Sequence, residues 1–181
     1  MQLQYVLVSG LLATIGTGHP LSGTPQVVKR SLSSALLGKR AEITGEHCGS
    51  DANGDVDYDK TWVKSAFDDM QRYVNVGADQ RPSAGTRTYP LRNEARDPEV
   101  ATALDTIDGC ETGQDGKTYW EFPLTSDGWN GGPERSQGPD RVIGIGTYSG
   151  GQGGTWALTY CLSVTHRGQA NNENVPCTDI D

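Results

Sequence analysis

Beyond position 40 this 181-residue chain has only two histidines, His47 and His166, so imidazole chemistry has few places to occur. His166 closes the apolar run Tyr160-Cys161-Leu162-Ser163-Val164-Thr165 and opens a polar loop, Arg167-Gly168-Gln169-Ala170-Asn171-Asn172. Taken alone, a histidine at a strand end is more often structural or simply exposed. Two other segments raise its interest. Glu121 lies within Tyr119-Trp120-Glu121-Phe122-Pro123, and Arg141 opens a strand-like run after the turn Gly138-Pro139-Asp140. Side chains alternate along a strand, so Tyr119 and Glu121 share one face while Trp120 and Phe122 point to the other, the core side. If Arg141 and His166 project onto the Glu121 face from neighbouring strands, a base, a cation and an acid converge. That set suits proton transfer beside an anion. The plainer alternative is an exposed Glu-Arg pair, worth little.

Those three residues need a sheet to hold them, and the pattern supplies one. Tyr58, Trp62, Ala66 and Met70 recur at four-residue steps, with Val63, Phe67 and Val74 beside them, which predicts a helix over 57–76. Asp57 or Asp59 could cap its start and Gly77 could end it. After Gly77, short apolar or alternating segments at 118–124, 141–145, 156–164 and 174–177 stand between clusters of Gly, Pro, Asn and Asp. The expected class is α+β: one helix packed on one face of an antiparallel sheet, the other face free for a site. The glycine-rich stretch 144–154 reads as a hairpin connection. Its GxG spacing lacks the strand-to-helix turn and ribose-binding acid of a dinucleotide fingerprint.

Length bounds the chain to one domain with a real core. The apolar run 5–15 is too short to span a bilayer and reads as the centre of a signal peptide over 1–18, with small residues Gly16, Thr17 and Gly18 at its end. A propeptide over 19–40 follows, carrying the dibasic pairs Lys29-Arg30 and Lys39-Arg40, and the domain spans 41–181. Every Asp and Glu lies after Arg40, so the mature chain from Ala41 has 11 basic against 23 acidic residues, a net charge of −12. So acidic a protein repels polyanions at long range, which argues against tight, sequence-independent binding to duplex nucleic acid. A small cleft handling one or two nucleotides is compatible with that charge. The expected setting is secreted and extracellular, with no membrane partner. Four cysteines, Cys48, Cys110, Cys161 and Cys177, then imply two disulfides among three pairings. Neither a Cys-x-x-Cys nor a paired histidine is present, so no metal and no cofactor are assigned.

In order and spacing, Tyr119-Trp120-Glu121-Phe122-Pro123, Gly138-Pro139-Asp140-Arg141-Val142-Ile143, Val164-Thr165-His166 and Pro176-Cys177-Thr178 resemble the fungal guanyl- and purine-specific ribonucleases, especially their purine-preferring branch. Ala66-Phe67-Asp68-Asp69 and Tyr89-Pro90 fit the same family, and the resemblance covers most of 48–178. It implies the microbial ribonuclease fold, with one helix on a curved antiparallel sheet, and metal-free cleavage of single-stranded RNA to a 2′,3′-cyclic phosphate. The residues at family positions are Glu121 as base for the ribose 2′-hydroxyl, His166 as acid for the departing 5′-oxygen, and Arg141 and Tyr89 as holders of the phosphate. With the family in view, the expected disulfides are Cys48 with Cys177 and Cys110 with Cys161, in a monomer.

The chain departs from the family at Leu91, where a histidine usually follows the Tyr-Pro pair, and at Asn174, where an aromatic is usual. The loop Arg92-Asn93-Glu94-Ala95-Arg96 lacks the base-stacking aromatic, so base preference does not carry over, and Arg92 or Arg87 is available to supply compensating charge. Related ribotoxins share the fold but carry long basic loops that this acidic chain does not have. The competing expectation is an effector that keeps the scaffold, binds RNA or a host protein, and cleaves slowly or not at all.

Overall fold

Asp59 has extended backbone angles, and its carboxylate accepts hydrogen bonds from the backbone N–H of Thr61 at 2.7 Å and Trp62 at 3.1 Å. These are donors that the first turn of a helix leaves unpaired. The helix they start, α1, is Lys60–Tyr73, shorter at both ends than the sequence predicts. Tyr58 belongs to the strand before it, and the buried stripe is Val63, Ala66 and Met70, with Trp62 facing out. Arg81 caps the far end by donating to the carbonyls of Val74 and Val76. Gly77 therefore opens a short 3-10 turn, Ala78–Gln80, and does not end the helix.

The structure is a computed structural model that describes residues 39–40, 42–169 and 173–180; the expected signal peptide and propeptide lie outside these except for the backbone of Lys39 and Arg40. The strands are β1 Lys39–Arg40, β2 Gly45–Asp51, β3 Gly54–Tyr58, β4 Ser83–Ala84, β5 Arg87–Thr88, β6 Leu91–Asn93, β7 Ile107–Asp108, β8 Lys117–Pro123, β9 Asp140–Ser149, β10 Thr155–Thr165, β11 Val175–Pro176 and β12 Thr178–Ile180. The main sheet runs β11-β10-β9-β8-β6 with every neighbour antiparallel. A second antiparallel sheet is β12-β2-β3, β4 and β5 form a small hairpin, and β1 pairs with β7 in parallel. The class is α+β. The glycine-rich stretch is mostly strand: β9 and β10 extend to Ser149 and Thr155, leaving only 150–154 as connection.

One face of the main sheet carries Trp120, Phe122, Val142 and Tyr160 into a core shared with α1. Gly144 permits that approach, because a Cβ there would stand 2.8 Å from the Met70 methyl. The opposite face is not free along its length. A second helix, α2 (Pro98–Leu104), lays Val100 and Leu104 over Ile143, Ile145, Leu162 and Val164, so the described residues hold two α-helices where the sequence predicts one. Only the end of that face, where β8, β9 and β10 reach Glu121, Arg141 and His166, remains for a site.

The disulfides are Cys48–Cys177 and Cys110–Cys161. Cys161 is the extra residue at a register shift between Tyr160 and Leu162, an arrangement that re-aims one side chain of a strand. Among the described residues no helix is long and apolar enough to cross a membrane.

Three tyrosines make the domain sensitive to alkali. Burial, reinforced by neighbouring carboxylates, raises Tyr58 beside Asp140 and Tyr160 beside Glu46, and burial followed by the charges of Asp105 and Glu111 pushes Tyr119 up to about 12. An unfolded tyrosine ionises near pH 10. The folded chain therefore holds protons that the unfolded chain has released, and stability present below about pH 10 is lost as pH rises through the folded values. Urea unfolding should show the midpoint falling steeply above about pH 10, and Tyr119→Phe should blunt the fall.

Candidate active site

Asp140 is the anchor of the site. It is wholly buried, and its carboxylate accepts from Tyr58 Oη at 2.7 Å and from Arg167 Nη2 at 2.7 Å, with Arg167 Nε 3.1 and 3.2 Å from its two oxygens. Burial by itself lowers the Arg167 guanidinium, but the hydrogen bonding and charge of Asp140 outweigh it and hold the group above its ordinary value. Arg167 Nη1 also reaches Asp51 at 2.8 Å. Asp140 immediately precedes Arg141 and Arg167 immediately follows His166. One buried ion pair thus fixes the strand ends that carry two of the three candidate groups.

Arg141 is 4% exposed. Its Nη1 donates to the carbonyls of Gln137, Gly138 and Asp140 at 3.1, 2.8 and 2.7 Å, and Nη2 reaches Tyr89 Oη at 3.4 Å. Its Nε has no hydrogen-bond partner and lies 4.0 Å from Glu121 Oε1. A buried N–H donor without a partner costs free energy comparable to a lost hydrogen bond. Three fixed carbonyls thus hold the guanidinium in place, with the Glu121 carboxylate beside its Nε.

Glu121 is mostly buried, and its Oε2 accepts from Asn93 Nδ2 at 2.6 Å. Asn93 is held in turn, its Oδ1 accepting from the Ala95 N–H at 2.7 Å. The His166 ring is oriented from behind: Nδ1 is 3.2 Å from the Glu173 carbonyl, which can only accept, so Nδ1 carries a proton and Nε2 is the nitrogen available for exchange. Glu121, Arg141 and His166 all line one cleft of about 880 Å3, together with Thr86, Arg87, Glu134, Arg135, Gln137 and Asn174.

Tyr89 sits elsewhere. It is wholly buried, packed edge-on against Trp129 and Phe122, and is not among the cleft residues. Its hydroxyl reaches the site through Arg141, whose guanidinium it helps to position. Leu91 stands opposite Glu121 in register on β6, packed against the α1 core and absent from the cleft lining. Asn93, two residues on, makes the hydrogen bond to Glu121. Asn174 lines the cleft and is tied to Asp97 through Nδ2 at 2.8 Å.

No protein-family model matches the chain, and no curated protein matches it. What the arrangement can do is read from its chemistry alone: a fixed carboxylate to take a proton, an imidazole to give one, and a guanidinium between backbone carbonyls to hold an anion near both.

Proposed function

We propose that this protein is a secreted endoribonuclease with the fold of the fungal guanyl- and purine-specific ribonucleases, cleaving single-stranded RNA by transphosphorylation. The observation that carries the reading is the meeting of Glu121, Arg141 and His166 in one cleft, with Asn93 and the Glu173 carbonyl orienting the base and the acid. Two disulfides suit an oxidising, extracellular setting.

The reaction balances on these groups. Glu121 removes the proton of the ribose 2′-hydroxyl as that oxygen forms a bond to phosphorus. The bond from phosphorus to the 5′-oxygen breaks, and that oxygen takes the proton of the His166 imidazolium. The products are a 2′,3′-cyclic phosphate and a free 5′-hydroxyl. Arg141 faces the charge that gathers on the phosphoryl oxygens, and a cation so buried and fixed is worth more than one in solution. The 2′-hydroxyl is the nucleophile, so a deoxyribonucleotide oligomer containing a single ribonucleotide should be cut only on the 3′ side of that residue. Cutting at deoxyribonucleotides would disprove the reading.

Asn93 gives a smaller prediction. Its bond to the Glu121 carboxylate is charge-assisted, a class worth about 1.5–3 kcal/mol, so Asn93→Ala should lower kcat about 10- to 100-fold. KM should change far less, because Asn93 orients the base and does not hold the phosphate. A steady-state comparison on a dinucleotide measures the split.

A further inference from the structure

We propose that Arg87 and Arg135 form a phosphate track along one wall of the cleft, holding the phosphates that flank the scissile one, so that a single-stranded polynucleotide is a better substrate than a dinucleotide. The inference rests on the ribonuclease reading of the same cleft. Among the residues whose side chains are described, eleven are Lys or Arg. Nine of them have a role within the chain: Lys60 with Glu42, Lys64 with Asp68, Arg72 with Asp69, Arg96 with Glu94, Arg167 with Asp140, Arg92 over Trp120, and Arg81, Lys117 and Arg141 on backbone carbonyls. The side chains of Arg87 and Arg135 make no hydrogen bond, ion pair or ring contact, and both residues are exposed and line the cleft. In so acidic a chain, 23 Asp and Glu are available as partners, yet the two unpaired cations stand on one wall of one cavity.

That wall is built. Arg87 closes a tight hairpin, Ala84-Gly85-Thr86-Arg87, and Arg135 lies on the loop beside it. The Gly132 N–H donates to the Ser83 carbonyl at 2.9 Å, and Gly85, at φ +60°, lies so close to Glu134 that a Cβ would stand 3.1 Å from it. Arg135 has φ 72°, the left-handed region that a non-glycine residue occupies only under strain. A strained backbone that presents an unpaired guanidinium to a cavity is characteristic of ligand clamps. Glu134 shares the wall, and the protein as a whole repels polyanions, so the arginines act at hydrogen-bond range and not through a broad positive field. A cleft of about 880 Å3 lies toward the upper end for small-molecule sites, which leaves room beyond one nucleotide.

The test pairs catalysis with binding. For wild type, Arg87→Ala and Arg135→Ala, kcat/KM is measured on a dinucleotide and on a hexaribonucleotide. Affinity for a fluorescent hexadeoxyribonucleotide, which lacks the 2′-hydroxyl and is not cut, is measured from 20 to 200 mM salt. In wild type the hexamer should exceed the dinucleotide, and each variant should reduce that ratio about tenfold. Each should also reduce the slope of log K against log salt by about 0.7, as expected for one single-strand phosphate contact, with the slope restored in Arg87→Lys and Arg135→Lys. Lys60→Ala, which removes the same charge outside the cleft, should leave the slope in place. Dinucleotide cleavage with ratio and slope both unaltered in the variants would overturn the track and leave the ribonuclease reading standing. A protein that cuts nothing, yet whose salt slope falls in the two alanine variants, would sustain the track and overturn the reading instead. Unaltered slopes in such a protein would overturn both.

Discussion

Glu121→Gln and His166→Gln should each lower kcat on a dinucleotide by about 100- to 10,000-fold, the range that a positioned proton-transfer group contributes. Gln at 121 keeps a side-chain oxygen for Asn93 to donate to, so the geometry survives while the basicity is lost. Gln at 166 removes the transferable proton without disturbing the Arg167–Asp140 pair beside it. KM should move little in either variant, because the guanidinium that faces the phosphate is anchored by carbonyls and not by these two side chains. The wild-type pH profile should be bell-shaped, since the base must be ionised while the acid is protonated, and each substitution should erase one limb. The double variant should lose scarcely more than either single one, as groups that act in one concerted step do. Wild-type activity that survives Glu121→Gln would end the proposed mechanism.

The second large effect is on stability. Arg167→Met should destabilise the fold by about 3–5 kcal/mol, because it strands the wholly buried Asp140 carboxylate with only the Tyr58 hydroxyl as partner. Asp140→Asn combined with Arg167→Met should recover a large part of the loss, since the penalty is that of an uncompensated charge and not of the missing contact. Urea denaturation of the three variants measures both values. A loss below about 1 kcal/mol for Arg167→Met would class the pair with exposed ion pairs and would remove Asp140 as the anchor of the site.

The parts of this molecule that are legible in the sequence are those written in local periodicity or local chemistry. Asp59 announces a helix start, alternation in 119–122 puts Glu121 and Trp120 on opposite faces, and the turn at 138–140 delivers Arg141 to the head of a strand. Helix α2 is not legible by pattern, because seven residues give under two full turns; its signal is Asp97-Pro98-Glu99, a capping position followed by Pro and an acid. The hairpin of β2 and β3 carries the Asn53-Gly54 turn signal but is too polar to read as strand.

What joins distant segments is not legible at all. Asn93 on Glu121, and Tyr58 and Arg167 on Asp140, are contacts between residues 27 to 82 positions apart. No spacing rule reports them. Tyr89 shows a further gap: family position does not say which way a ring faces, and here the ring packs in the core while its hydroxyl reaches Arg141.

The central claim is that this cleft transfers phosphorus from a 5′-oxygen to a neighbouring 2′-oxygen, and the ends of the products report that directly. Single-stranded RNA incubated with the purified protein in EDTA should give fragments ending in 2′,3′-cyclic phosphate, with 5′-hydroxyl groups on their partners. RNA that is bound but left whole, or fragments carrying 5′-phosphates, would contradict the account.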